Sequence, residues 1–131
     1  MKFMLLCYDD EEAWNKAGEA ALRDAMEEAV QLCHEINAKG QYLRAAPLHP
    51  VATATSVRVR DGKRLVTDGP FAETREVLGG FYLIDVNNLD EAISIAARHS
   101  GARVGTVEIR PVLELAGLPP DAYANDSSRQ R

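Results

Sequence analysis

The sequence predicts an α+β domain in which the order strand, helix, strand occurs twice. Three observations carry that prediction. Short apolar runs are bounded by turn residues, two segments repeat apolar residues at helical spacing, and Asp61-Gly62 separates two alternating segments as a hairpin turn does. The chain has 131 residues, 46% hydrophobic and 27% charged, which is one globular domain with enough surface to bury a core unaided by staples. Fifteen bases against twenty acids leave a net charge of −5, and a direct nucleic-acid binder is disfavoured because the phosphate backbone rewards a surplus of Lys and Arg.

Phe3 to Tyr8 is the longest apolar run, and Asp9-Asp10 ends it after six residues. It is too short for a membrane span or a signal-peptide core and reads as a first strand in a cytoplasmic protein. Both of its faces are apolar, so both need cover. Leu22, Met26, Ala29, Cys33 and Ile36 then mark a helix over about Glu19 to Lys39, stopped by Gly40, with Glu11 to Ala17 as a separate turn before Gly18. Gln41 to Leu48 is a second strand, and Ala54 to Arg60 with Lys63 to Thr67 form the hairpin. Val77 to Val86 is the next strand, again apolar on both faces. Asn88 and Glu91 make a capping box that opens a helix to about Arg98, and Val104 to Val112 is the last strand. Residues 116–131 read as a flexible C-terminal tail behind a 1–115 domain.

With the hairpin set aside, βαβ occurs twice, the split βαβ or ferredoxin-like arrangement with helices on one face of an antiparallel sheet. Two helices cannot cover two faces. The uncovered face predicts a homodimer that packs sheet against sheet with twofold symmetry. Cys7 and Cys33 have no CxxC spacing and read as free core thiols. Residues 9–35 hold nine acids and two bases, which places most of the acidity on one helical surface.

Asp68-Gly69-Pro70-Phe71-Ala72-Glu73-Thr74, followed by Leu78-Gly79-Gly80-Phe81-Tyr82-Leu83-Ile84-Asp85-Val86, closely resembles the YCII-related group known as the DGPF family. Ala52 to Arg58 and Val107 to Val112 resemble its flanking blocks in the same order, so the likeness spans roughly residues 1–113. The resemblance implies a ferredoxin-like subunit that pairs into a dimeric α/β barrel. Chemistry is less determined: most members have no assigned activity, many are encoded beside extracytoplasmic-function sigma factors, and the wider superfamily includes isomerases, dehydrochlorinases and small monooxygenases. Some members carry a His–Asp pair with the His in the first long helix, where this chain has Ala29.

The candidate catalytic residues are Asp68, a carboxylate that could enter the end of the barrel, and His49, whose near-neutral titration suits proton transfer. Arg58 and Arg110 are candidate anchors for a small aromatic or carboxylate ligand, because a guanidinium offers a bidentate fork. Glu73 follows Asp68 closely enough to share its pocket, and Gly79-Gly80 at a strand start suggests a bulge or a close backbone approach. Dispersed His34, His49 and His99 give no metal spacing, and no Gly-rich phosphate loop is present, so neither metal nor cofactor is expected. Two functions remain open: a homodimeric small-molecule-binding protein or proton-transfer enzyme, and a regulatory protein whose partner is a sigma factor.

Overall fold

The computed structural model describes residues 1–120, and residues 121–131 of the expected tail lie outside the described part. The elements in chain order are β1 (Lys2–Asp9), α1 (Glu11–Ala17), α2 (Glu19–Ala38), β2 (Tyr42–Pro47), β3 (Thr55–Arg60), β4 (Lys63–Asp68), β5 (Val77–Asp85), α3 (Leu89–Arg98) and β6 (Thr106–Pro111). Short 3-10 turns occupy Val51–Thr53 and Ser100–Arg103.

Local sequence explains most boundaries. Asp10 accepts from the Ala13 N–H at 3.1 Å and starts α1, and Gly18 at φ +96° separates α1 from α2. At the other end of α2, Gln41 N–H reaches back to the Ile36 carbonyl at 2.9 Å and Gly40 N–H to Asn37 at 3.0 Å. That pair of bonds is a Schellman stop, and Gly40 supplies its left-handed residue at φ +73°. Asn88 caps α3 by accepting from Glu91 N–H at 2.9 Å. The reciprocal arm of the expected box lands one residue earlier, with the Glu91 carboxylate accepting from the backbone and side-chain N–H groups of Asn87. The last strand starts at Thr106, later than the pattern suggests, because the Ser100–Arg103 turn consumes the approach to it.

Four strands form an antiparallel sheet in the order β2-β5-β1-β6, the ferredoxin-like order, and β3–β4 form a separate two-stranded ribbon inserted between β2 and β5. Leu5 stands opposite Tyr82 and Cys7 opposite Gly80, but Tyr8 pairs with Leu78, so the register slips by one residue at Gly79. Phe3, Leu5 and Cys7 of β1 and Tyr82 and Ile84 of β5 point to the helices, where Leu32 and Ile36 of α2 and Ala92, Ile95 and Ala96 of α3 complete the core. Buried Ser100 ties the α3–β6 connection to α2 by donating to the Ala25 carbonyl at 2.7 Å. Alternation puts Met4, Leu6 and Tyr8 with Phe81 and Leu83 on the opposite face, where no helix lies. No helix of the described residues is long and apolar enough to cross a membrane.

Candidate functional site

Side-chain chemistry converges where β1 ends. Asp9 closes that strand, and its carboxylate lies against Gly79: a Cβ on Gly79 would sit 1.8 Å from Asp9 Oδ2. Gly101 leaves a second opening, since a Cβ there would lie 2.7 Å from His99 Nε2 and 3.4 Å from Asp9 Oδ1. The carboxylate and the imidazole therefore both border the space that the absent Gly101 side chain leaves. Paired glycines at a strand start suggest a bulge or a close backbone approach by a partner chain or a ligand; within this chain the register slips at Gly79, Asp9 presses on Gly79, and the Ala46 carbonyl presses on Gly80.

The indole N–H of Trp14, the single tryptophan of the chain, donates to Asp9. Burial raises the Asp9 carboxyl above the ordinary range, the Trp14 bond lowers it, and the nearby charges of Glu11 and Glu76 raise it again. No Lys or Arg forms an ion pair with Asp9 among the described residues. On the far side, His99 Nδ1 shares a 2.7 Å hydrogen bond with Tyr82 Oη, and the two rings meet edge to face. Burial pushes the Tyr82 hydroxyl up, so it keeps its proton, and burial pushes His99 down, with Arg103 adding to the effect and Glu28 opposing it. A protonated hydroxyl beside a neutral ring is assigned as Tyr82 donating to Nδ1, which leaves the imidazole proton on Nε2, the nitrogen beside Gly101. Asp9 raised and His99 lowered bring an acid and a base closer together in proton affinity, as proton transfer requires.

Three chain segments hold the rim. Leu48 N–H donates to the Gly79 carbonyl at 2.8 Å and Val51 N–H to Glu11 Oε2 at 2.9 Å. Arg75, at the end of the Asp-Gly-Pro-Phe loop, pairs with Asp10 at 3.3 Å. His49 lies between Leu48 and Val51 and is exposed at that rim. Asp68 ends β4 opposite Thr55, exposed at the base of the ribbon, Arg58 stands on the ribbon, and Glu73 is exposed in the loop beyond it. Arg110 stands on the open sheet face beside Glu108 at 3.8 Å, and Gly80 is buried. No hydrogen bond or ion pair among the described residues joins Asp68 to His49, or either of them to Arg58, Glu73 or Arg110. Ordering of the Asp-Gly-Pro-Phe turn comes instead from Gly69, which bonds Ala54 through its N–H and accepts from Ser56 Oγ.

The YCII-related domain family matches residues 1–116. The chain belongs to the YCII-related family. An uncharacterized protein of Rhizobium meliloti (strain 1021) is 41% identical over 124 residues, covering 86% of this chain and 92% of that protein. The YCII-related chain offers no cluster of three or more His, Cys, Asp or Glu side chains placed to hold a metal ion among the described residues. Its thiols, Cys7 and Cys33, are free, and burial pushes Cys7 up to about 12, so it stays an uncharged core group and not a nucleophile. The larger cavity, about 420 Å³, runs along α2 and contains none of the groups around Asp9.

Proposed function

We propose that this YCII-related protein is a homodimer that binds a small molecule and moves a proton at Asp9. One observation carries the reading: a half-buried carboxyl with raised proton affinity, held by an indole N–H, borders the Gly101 space together with a neutral imidazole and forms no ion pair with a Lys or Arg among the described residues. A carboxylate whose role is structural is ordinarily paired or capped and has its proton affinity lowered, as Asp10 has. Here burial and neighbouring acids lift the proton affinity of the carboxyl instead. Asp9 takes the proton, and His99, held in one tautomer by Tyr82, donates or stabilises on the other side. The charges of Glu11 and Glu76 disfavour an anionic group at this point, so of the two ligand classes an aromatic one fits better, against the ring of Trp14. The exposed His49 at the rim remains within this proposal as a second proton carrier.

The dimer follows from the uncovered sheet face. Met4, Leu6, Tyr8, Phe81 and Leu83 form a half-buried apolar patch with no helix or strand of the described residues over it, and a second copy related by a twofold axis offers the same patch in return. Free thiols fit a reducing, cytoplasmic setting. Calorimetric titration with neutral aromatics and with benzoates, on the native chain and on Asp9→Asn, tests the site. The expected result is heat of binding that Asp9→Asn changes; equal affinity and turnover in both proteins removes Asp9 from the account. Light scattering at micromolar concentration tests the pairing, and a monodisperse mass near 14.4 kDa would refute it.

A further inference from the structure

Two apolar surfaces have no cover among the described residues, and neither belongs to the open sheet face. The first is the β3–β4 ribbon. Val57 stands directly opposite Val66, and Val59 lies on the same face beside Arg64 at the tip. These three valines are 60%, 58% and 62% exposed in the order Val57, Val66, Val59. A two-stranded ribbon with nothing packed on it is marginal at best in water. The bonds that anchor it, Gly69 to Ala54 and Ser56 to Gly69, lie at its base.

The second surface is the side of α2 turned away from α3. Leu22, Met26 and Val30 recur every four residues and are 36%, 53% and 57% exposed. They line the cavity of about 420 Å³, with Glu19, Glu27 and one base, Arg23, at its margin, so the margin is acidic by one charge. The opposite side of α2 is already engaged, because Glu28 pairs with Arg103 and Glu35 with Arg98. Charge distinguishes the two surfaces as strongly as apolarity unites them. The ribbon, residues 55–68, holds four bases and two acids, whereas α2 holds five acids and one base.

We propose that the ribbon of one copy seats its valine face in the Leu22–Met26–Val30 groove of a second copy, with Arg64 beside the acidic margin. Apolar area then leaves water on both sides at once, which offsets the cost of ordering a ribbon that its own chain does not support. Opposite charge at the margin sets which surface the ribbon chooses. This contact is separate from pairing through the sheet face and does not require it.

A full-length Met26→Cys/Val57→Cys chain on a Cys33→Ser background, which keeps the buried Cys7, tests the seat under mild oxidation, with the two chains that carry only one of the new cysteines as controls. A covalent dimer or ladder specific to the double variant is the expected result, and a yield no higher than the controls overturns the proposal. Arg64→Glu in the same chain is expected to lose the cross-link, and further change of Glu19 and Glu27 to Arg to restore it. Loss without restoration would assign the effect of Arg64 elsewhere and overturn the charge pairing. Light scattering of the native chain separates the two contacts. A dimer that the double variant does not cross-link sinks the ribbon seat and leaves the sheet-face pairing; a native monomer overturns both contacts.

Discussion

Replacing Gly79 by Ala probes the notch that shapes the candidate site. The added Cβ would lie 1.8 Å from Asp9 Oδ2 and 2.8 Å from Asp9 Cγ, well inside contact distance. The obstacle is the end of a side chain, so the carboxylate swings away and leaves the Trp14 indole. A lost hydrogen bond costs about 0.5–1.5 kcal/mol, and an off-rotamer Asp9 about as much again. Removing a glycine from the unfolded ensemble returns roughly 0.4–1 kcal/mol. The net is a destabilisation of about 1 kcal/mol, which at a urea slope of roughly 2 kcal/mol per molar lowers the midpoint by about half a molar. Gly105→Ala provides the comparison, because its Cβ would meet the Tyr8 carbonyl at 1.9 Å, and backbone within a sheet cannot swing aside. It is expected to cost more than Gly79→Ala while leaving the Asp9–Trp14 contact recognisable in the tryptophan emission. Urea unfolding followed by Trp14 fluorescence reads both quantities. A Gly79→Ala chain with native midpoint and native emission would refute the geometry of the notch.

Other expectations concern the frame around the site. Asn88→Ala removes the cap on Glu91 N–H and should cost about 1 kcal/mol of stability by chemical unfolding; no change would mean that Glu91 bonding to Asn87 already fixes the helix start. His99 is neutral in the fold below the pH at which an unfolded histidine takes up a proton, because burial lowers its affinity. The unfolded chain therefore binds more protons below about pH 6.5, and stability falls as pH drops through that window. His99→Gln should flatten this part of the pH–stability curve, and an unchanged curve would remove His99 from the buried pair with Tyr82.

Much of the fold was legible because it rests on local periodicity and on punctuation. The apolar period of α2, the Gly40 stop, the Asn88 cap and the Asp61-Gly62 turn each act within a few residues and needed no partner to be recognised. The two apolar faces of β1 and β5 were equally plain, since alternation along a strand assigns every side chain to a side. The candidate site was not legible in the same way. Asp9 looks like the end of a strand and His99 like a helix-terminal histidine, and they meet only because β1, β5 and the Ser100–Arg103 turn converge from distant parts of the chain. The Asp-Gly-Pro-Phe segment is the more conspicuous pattern, yet the fold leaves Asp68 and Glu73 exposed, with Arg75 as its tie to the rim. Two signals were available: paired glycines facing a strand end, and the single tryptophan four residues after an Asp-Asp pair.

Because Trp14 is the chain's single tryptophan and donates directly to Asp9, its emission reports the protonation of that carboxyl. The decisive measurement is a fluorescence pH titration of the native chain beside Asp9→Asn. The account predicts a transition with its midpoint above the ordinary aspartate value of 3.8, absent from Asp9→Asn. Since the folded state holds this proton more tightly, stability should fall as pH rises through the same window, and Asp9→Asn should remove that loss. A midpoint at or below 3.8, or a transition that survives in Asp9→Asn, would contradict the claim that Asp9 is the proton-exchanging group of this protein.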